Sequence, residues 1–507
     1  MSPSIVESST REPAAFKRCL SLFDSVMVVV GIMVGSGIFI VSAEMSREIG
    51  SSGWLLVAWA ITGVLTVAGA LSYGELAAMM PDAGGMYVYL REAFSPICGF
   101  LYGWTLWTVI QTGTIAAVAI AFARFSGVLF PAISEKNYIV APIHISSQYA
   151  VSLSTAQLLA IAVIVVLAIG NSLGVQYGKL IQNIFTVAKI GALIALISLG
   201  LTVCANSAAL HANLTHPWST ANISLSATSG ATGAFGLIIA LCIAQTGSLF
   251  SADSWHDITF VAAEVKNPRR NLPLALLIGT ASVILLYFLC NLAYLASLPL
   301  PAIQHAPGDR VATAVLQTIF PRFGPALMAF AIMLSTFGTV NALTLAGARA
   351  CYAMSKDRLF FSAAGSLNRT GVPGWALGIQ GLWSALLVLP RTFKPATGEY
   401  GNLYNNLLEY VISAALVFYI LTILGVFRLR RTRPLAERPY STWGYPWLPG
   451  LYIAGALIIL LVLFVYRPET TWPGMAIVAL GIPVYYAMWL SSRAGSGSRL
   501  QNGKTPA

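Results

Sequence analysis

Two charged side chains lie inside long apolar runs of the sequence. Asp253 is within the run 232–262, and Lys189 is within the run 179–203. An ionised group deep in an apolar helix is costly, so it usually faces a cavity or an opposite charge. A buried carboxylate suits a cationic ligand, whereas a buried ammonium group can replace a bound cation. Both residues are candidates for function.

Glycines interrupt two apolar runs, one at Gly35-Ser36-Gly37 and the other near Gly247. Glycine weakens helix interiors, and free backbone groups inside a membrane need protein, water or a ligand as partner. At the first break, the N–H groups of Ser36, Gly37 and Ile38 and the Ser36 hydroxyl are available to a carboxylate. The alternative is that these glycines only allow close helix packing.

The second break offers the complementary chemistry, because carbonyl groups near Phe250, Ser251 and Asp253 can accept from an ammonium group. The two breaks together match the backbone of an α-amino acid. Phe250 is placed to act as a lid, or it is an ordinary core aromatic. Asp253 either faces the ligand, which favours arginine, lysine, ornithine or a polyamine, or caps the second half of the broken helix.

Lys189 lies ten residues past Lys179, hence roughly 15 Å deeper along a helix. We expect its ammonium group to bond carbonyls of the first broken run and the hydroxyl of Ser335 or Thr336. The alternative is that Lys189 extends to the membrane surface.

The elements that position these residues are membrane spans. The chain has 507 residues, of which 57% are hydrophobic and 9% charged, whereas roughly a quarter of residues are charged in soluble proteins. A span needs roughly 20 apolar residues. The predicted spans are 22–46, 54–79, 96–126, 152–172, 179–203, 232–262, 272–298, 314–354, 375–391, 404–428, 447–466 and 473–491.

The net charge of +11 follows from this arrangement. If the N-terminus is cytoplasmic, most Lys and Arg residues fall in inner segments, as in 266–270 and 429–446, which predicts that both termini are cytoplasmic. The charge therefore does not indicate a nucleic-acid partner.

The broken runs are spans one and six, five spans apart. An odd offset gives two repeats of opposite orientation, with the breaks facing each other at the midplane. The predicted organisation is an N-terminal tail (1–21), a ten-span core (22–428, with repeats of about 22–203 and 232–428), a basic loop with two additional spans (429–491) and a C-terminal tail (492–507). The connections 127–151, 204–231 and 299–313 are long enough for short surface helices.

Signatures of enzymes are missing from the sequence. It has no Cys-x-x-Cys, no P-loop and no pair of histidines at metal-binding spacing. We therefore expect no enzyme activity, no cofactor and no metal site. A transporter, a non-transporting receptor and a channel stay open, although the spans have little of the continuous polar lining that a channel needs.

The chain resembles the amino acid-polyamine-organocation superfamily, and within it the L-amino acid transporter branch. The resemblance covers nearly the full length and rests on an ordered series of motifs. They are Gly35-Ser36-Gly37-Ile38-Phe39, Glu75-Leu, Met80-Pro81-Asp-Ala-Gly84-Gly85-Met-Tyr87, Lys189, Phe250-Ser-Ala-Asp253-Ser-Trp255 through Glu264, Asn267-Pro268-Arg269-Arg270-Asn-Leu-Pro273, Ser335-Thr-Phe-Gly-Thr-Val-Asn341 and Arg349-x-x-Tyr352-Ala-Met-Ser-Lys-Asp357.

The resemblance implies an all-α, LeuT-like polytopic membrane protein, with about 12 transmembrane helices and a 5+5 inverted repeat in which helices 1 and 6 are discontinuous. It also implies sodium-independent alternating access, often as amino acid exchange. The alternative is a proton-coupled cationic amino acid or polyamine permease. The implied substrate contacts are Val34, Gly35, Ser36, Gly37, Phe250, Ser251, Ala252, Asp253 and Ser254, with Phe250 as the gate and Lys189 in place of a coupling cation.

Two departures from the family limit this inference. Ala252 and Ser254 stand where relatives often carry Tyr and Gly, so the side-chain preference stays open. Residues 127–151 contain no cysteine, whereas eukaryotic members join a glycoprotein heavy chain through a cysteine there. We therefore expect a transporter of the prokaryotic inner membrane without a disulfide-linked heavy chain.

Overall fold

The computed structural model describes residues 18–82, 84–173, 178–225, 227–357, 359–368, 371–394 and 398–501. Residues 1–17 of the predicted N-terminal tail and residues 502–507 of the predicted C-terminal tail lie outside the described residues. The last helix continues to Gln501, past residue 491, where the last predicted span ends.

Helices make up most of the described chain. Their bounds are α1 (Leu22–Met33), α2 (Gly37–Ile49), α3 (Ser52–Met79), α4 (Met86–Ala93), α5 (Pro96–Thr105), α6 (Gln111–Leu129), α7 (Thr155–Ser172), α8 (Gly178–Leu201), α9 (Ser207–Thr215), α10 (Gly233–Ser251), α11 (Pro268–Ser297), α12 (Leu300–Gln304), α13 (Val311–Ile319), α14 (Gly324–Lys356), α15 (Gly374–Leu387), α16 (Leu403–Thr432), α17 (Trp447–Tyr466) and α18 (Pro468–Gln501). A π-helical turn (Leu106–Ile110) joins α5 to α6, and 3₁₀ helices occupy Trp255–Glu264, Pro307–Asp309 and Ser362–Gly365.

Within the described residues, ten helices are long and apolar enough to cross a membrane, and the bent pair α1–α2 makes an eleventh candidate. The predicted ninth span corresponds to α15, which has 14 residues. At a rise of about 1.5 Å per residue it is roughly 21 Å long, shorter than the bilayer core. The chain is thus a polytopic helical membrane protein, and the predicted count of twelve is not confirmed.

A small antiparallel sheet corrects the all-α prediction. It joins β1 (Tyr138–His144), β2 (Tyr149–Ser154), β3 (Pro390–Lys394) and β4 (Glu399–Tyr400) in that order. Along β2, buried and half-buried residues alternate, the two-residue period of a strand with one covered face. The connection 127–151 therefore carries strands instead of helices, whereas 204–231 and 299–313 carry α9 and α12 as expected.

The spans pack in pairs separated by five spans. The α2 half of span one packs against α10 of span six, α3 packs against α11, α6 against α14, and α7 against α15. This pairing brings the two broken spans into contact.

Candidate functional site

The break in span one is a sharp bend over three buried residues. The helices α1 and α2 meet at 44°, and Val34, Gly35 and Ser36 link them without exposure to solvent. The first N–H groups of a helix have no partner within it. The start of α2 therefore has N–H groups that an anion could use.

Protein groups satisfy the carbonyls at the end of α1. Tyr287 on α11 donates its hydroxyl to the Met33 carbonyl at 2.8 Å. Ser335 on α14 donates to the Val34 carbonyl at 3.2 Å. Unpaired backbone groups are costly inside a membrane. By pairing these carbonyls, the two side chains stabilise the bend.

Lys189 bonds a further carbonyl near the end of α1, that of Gly31. Its side chain is 4% exposed, and its Nζ donates to the Gly31 carbonyl at 2.8 Å and to Thr339 Oγ1 at 2.6 Å. The ammonium group thus bridges spans one and eight, as a cation would. It does not extend to the membrane surface.

The hydroxyl that receives the Lys189 bond is not one of the two expected. Ser335 contacts span one through Val34, whereas Thr336 donates to the Ile332 carbonyl of its own helix. Thr339 lies one helical turn beyond Ser335 and on the same face of α14. The rotation of α14 about its axis determines which of these hydroxyls faces Lys189. The sequence alone does not predict this rotation.

The two breaks meet at Gly37 and Ser251. A Cβ atom added at Gly37 would lie 2.8 Å from the Cα of Ser251 and closer still to its hydroxyl. Such an approach is open only to glycine. A Cβ at Gly35 would come no nearer than 3.5 Å to Thr339, so close packing requires the second glycine and not the first.

Tyr404 on α16 connects the two halves of the site and was missed in the sequence. Its hydroxyl lies 2.9 Å from Ser36 Oγ, and its ring meets that of Phe250 edge-on at 6.0 Å between centroids. The Ser36 hydroxyl therefore has a protein partner. Phe250 is buried beside this pair. The only sequence signal for Tyr404 is that it is a tyrosine near the start of span ten.

Span six does not resume as an α-helix after its break. The helix α10 ends at Ser251, Ser254 adopts a left-handed conformation with φ 62°, and a 3₁₀ helix follows over Trp255–Glu264. Ser254 occupies the N-cap position, and its side chain makes no capping hydrogen bond. The N-cap position considered for Asp253 is therefore taken by Ser254.

Asp253 instead accepts a hydrogen bond from the hydroxyl of Tyr419 on α16. It is 5% exposed, and its second oxygen, Oδ2, has no partner among the described groups. Ala252, Ser254 and Asp253 are all buried at the break. A carboxylate with one free oxygen at this position can receive a cationic group.

A cavity of about 310 Å³ lies beside α1, on the side where the chain enters this helix. Its wall includes Leu20, Asp24 and Ile32 from the span-one segment and Asp257 from the 3₁₀ helix. Three carboxyl groups, those of Asp24, Asp257 and Glu264, contribute to it, whereas Arg349 is its single basic group in the part described. Arg349 pairs with Glu264 at 3.1 Å, and Asp24 and Asp257 are the other acidic groups of the wall.

In the described part of the chain, no group of three or more His, Cys, Asp or Glu side chains has a spacing that would hold a metal ion.

Comparison with known proteins identifies the family. The family model for amino acid permeases matches residues 20–488. The chain belongs to the amino acid permease family. This confirms the resemblance to the amino acid-polyamine-organocation superfamily, whose members here are transporters and not enzymes.

Individual relatives of this permease are of similar length. It is 28% identical to the human b(0,+)-type amino acid transporter 1 over 86% of this chain and 80% of the relative. It is 26% identical to the serine/threonine exchanger SteT of Bacillus subtilis (strain 168), over 94% and 98%. It is 27% identical to the human cystine/glutamate transporter, over 95% and 87%.

Proposed function

We propose that this permease is a secondary active transporter of L-amino acids that works by sodium-independent alternating access and exchanges one amino acid for another. Its relatives are named as amino acid transporters, and one of them as a serine/threonine exchanger. Amino acid transport follows from the family, whereas exchange and sodium independence are proposed.

The observation that carries the proposal is the contact between the two breaks at Gly37 and Ser251. The N–H groups at the start of α2 suit a carboxylate, and the carbonyl end of α10 suits an ammonium group. These opposite helix ends lie side by side, which matches the two charges of an amino acid backbone. We assign substrate contact to Val34 through Gly37 and Phe250 through Ser254, with Phe250 as the gate.

A LeuT-like 5+5 inverted repeat agrees with this assignment. Spans one to four each pack against the span five positions later. Two copies of one unit, inserted with opposite orientation, would face each other in this way and would bring both broken spans to the middle of the membrane.

Lys189 supports independence from sodium. Its ammonium group already bonds the Gly31 carbonyl and the Thr339 hydroxyl, which are oxygen ligands of the kind that a sodium ion would use. A second cation beside it would be repelled.

The test is exchange in proteoliposomes of the purified permease. Vesicles loaded with unlabelled L-leucine, L-serine or L-arginine are placed in labelled substrate, with sodium or with choline outside. We expect rapid uptake of label into amino acid-loaded vesicles, little into empty ones, and no effect of sodium. Uptake that requires sodium would contradict the proposal, and binding without any uptake would indicate a receptor.

A proton-coupled permease for cationic amino acids or polyamines is the second candidate. The free Oδ2 atom of Asp253 favours it, because a buried carboxylate without a cationic partner at the substrate site attracts a second positive charge. Faster uptake of arginine or spermidine than of leucine would distinguish it.

We also propose that the permease lies in a prokaryotic cell membrane with both termini in the cytoplasm. It would work without a disulfide-linked heavy chain, because residues 127–151 contain no cysteine. Uptake by the purified single chain tests this point, and activity only after addition of a partner would refute it.

A further inference from the structure

Four buried polar side chains connect the span-six break with the cavity beside α1. Tyr419 donates to Asp253 and lies 3.3 Å from His256 Nδ1. His256 Nε2 lies 3.5 Å from Asp257 Oδ1, a contact that is not a hydrogen bond in this arrangement, and Asp257 lines the cavity. None of the four is more than 5% exposed.

The contacts among these four residues determine how many protons they share. A tyrosine has one proton to donate, a neutral imidazole has one, and an ionised carboxyl has none. If Tyr419 donates to Asp253, its oxygen can accept from Nδ1–H of His256. The bare Nε2 atom then faces Asp257 Oδ1, and two acceptors oppose each other unless one more proton lies between them.

The other tautomer of His256 leads to the same count. If the ring proton is on Nε2 and faces Asp257, the bare Nδ1 atom needs the proton of Tyr419. Tyr419 then has none left for Asp253, and this contact again requires one additional proton, now on Asp253. Because unmatched buried acceptors are costly, both arrangements favour one bound proton, at one end or the other.

We propose that Asp253, Tyr419, His256 and Asp257 form a proton relay that carries the coupling proton between the substrate site and the cavity. Starting with the proton on Asp253, Asp253 passes it to Tyr419, Tyr419 passes its own to His256 Nδ1, and His256 passes its Nε2 proton to Asp257. Three bonds to hydrogen break and three form. The net change is one proton moved from Asp253 to Asp257, which releases it into the cavity.

The surroundings leave the relay without a compensating cation. The ionisable groups that face it from other elements are Tyr73 on α3, Tyr102 on α5, Tyr452 on α17 and, at the cavity, Asp24, Glu264 and Arg349. Arg349 is bound to Glu264 at 3.1 Å. Across the described ranges, neither Asp253 nor Asp257 is paired with Lys or Arg, so a proton is the available positive charge.

The relay rests on the proposed transport function and adds a proton-driven mode to exchange. Asp253 is two residues from Ser251, where the breaks meet. Its proton therefore alters the charge of the substrate site, and release through Asp257 would accompany release of the substrate toward the cavity.

The experiment measures amino acid uptake and the internal pH of pyranine-loaded proteoliposomes in parallel. The probes are L-leucine, L-serine and L-arginine, supplied separately. For wild type, an acid-outside gradient of one pH unit should raise accumulation by up to about tenfold, the equilibrium value for one proton per substrate. Acidification of the lumen should accompany uptake.

Tyr419→Phe removes the central hydroxyl, whereas Tyr73→Phe makes the same change in the same aromatic cluster, with ring centroids 6.2 Å apart. Relative to its own exchange rate at equal pH, we expect Tyr419→Phe to lose both the gradient response and the acidification. Tyr73→Phe should keep both. Asp257→Asn repeats the test at the cavity end if Tyr419→Phe does not fold.

The outcomes separate the two proposals. Absence of exchange in wild type would refute the transport function itself. Exchange without proton movement in wild type would overturn the relay alone, and so would a normal gradient response in Tyr419→Phe or, if that variant is inactive, in Asp257→Asn.

Discussion

At the scale of single residues, the ammonium group of Lys189 links the first half of span one to span eight. It bonds a carbonyl of α1 and a hydroxyl of α14, which are far apart in the sequence. The group therefore fixes the position of the first half of span one relative to span eight.

We expect Lys189→Ala to reduce exchange to background. The change leaves the buried Gly31 carbonyl without its Lys189 bond, at a cost of about 1–3 kcal/mol, whereas the Thr339 hydroxyl keeps its bond to the Ser335 carbonyl at 3.1 Å. Initial rates of labelled amino acid uptake in proteoliposomes measure the effect, and the melting temperature of the purified variant reports the stability.

Thr339→Val serves as the graded comparison, because it removes one of the two Lys189 bonds and keeps the charge. A smaller loss of uptake than in Lys189→Ala is expected. Full activity in Lys189→Ala would show that the ammonium group has no part in transport.

Asp253 is the residue from which we predict side-chain selectivity. Asp253→Asn removes the charge and retains the shape, so binding of arginine should weaken by about tenfold, the size of one charge-assisted hydrogen bond. Leucine is the internal control and should change little. Equal losses in thermal-shift titrations with both ligands would argue against contact between Asp253 and the substrate side chain.

Sequence reasoning found the charged residues of the site but not their neutral partners. Lys189 and Asp253 were recognisable because an ionised group is rare in an apolar run. Thr339, Tyr287, Tyr404 and Tyr419 were not, because threonine and tyrosine are common in membrane helices. Only the rotation of each helix about its axis shows which hydroxyl faces the site.

At the scale of elements, the contact between the broken spans depends on one glycine. Gly37→Ala should abolish transport and lower the melting temperature, because its methyl group meets the backbone of Ser251 at 2.8 Å. Gly35→Ala, two residues away, meets nothing closer than 3.5 Å and should be tolerated. Uptake assays and thermal melts of both variants are the measurements, and equal behaviour of the pair would contradict the packing argument.

Most spans were predictable from hydropathy because the bilayer imposes both length and apolarity on them. The strands β1 and β2 were not, since they lie in a connection where neither constraint acts. The ninth span was extended to residue 391 because the apolar run continues toward β3, although the helix stops at Leu387. The 3₁₀ segment after Asp253 was also missed, because its composition resembles that of an α-helix.

At the scale of the whole molecule, the basic loop 429–446 fastens the last two helices to the core. Glu75, at the end of α3, is 1% exposed and receives both Arg430 Nε at 2.9 Å and Arg430 Nη2 at 2.6 Å. The backbone N–H of Thr442 donates to the same carboxylate at 2.8 Å. One carboxylate thus holds both ends of this loop.

Glu75→Gln should lower the free energy of unfolding by about 2–3 kcal/mol, since it leaves Arg430 without a matching charge. Glu437→Gln is the matched control, because its pair with Arg269 is largely exposed and such surface pairs contribute little. Thermal melts in detergent compare the two. A control as unstable as Glu75→Gln would show that the loop is not held by this carboxylate.

The four-stranded sheet has a mechanical consequence. Backbone hydrogen bonds between β2 and β3 join the segment before α7 to the segment after α15, and these two helices also pack together. The two loops are thus held together by the sheet, so we expect α7 and α15 to move as one unit. In the proposed alternating-access cycle, the opening and closing movements would then fall on helices outside this unit, above all on the two halves of spans one and six.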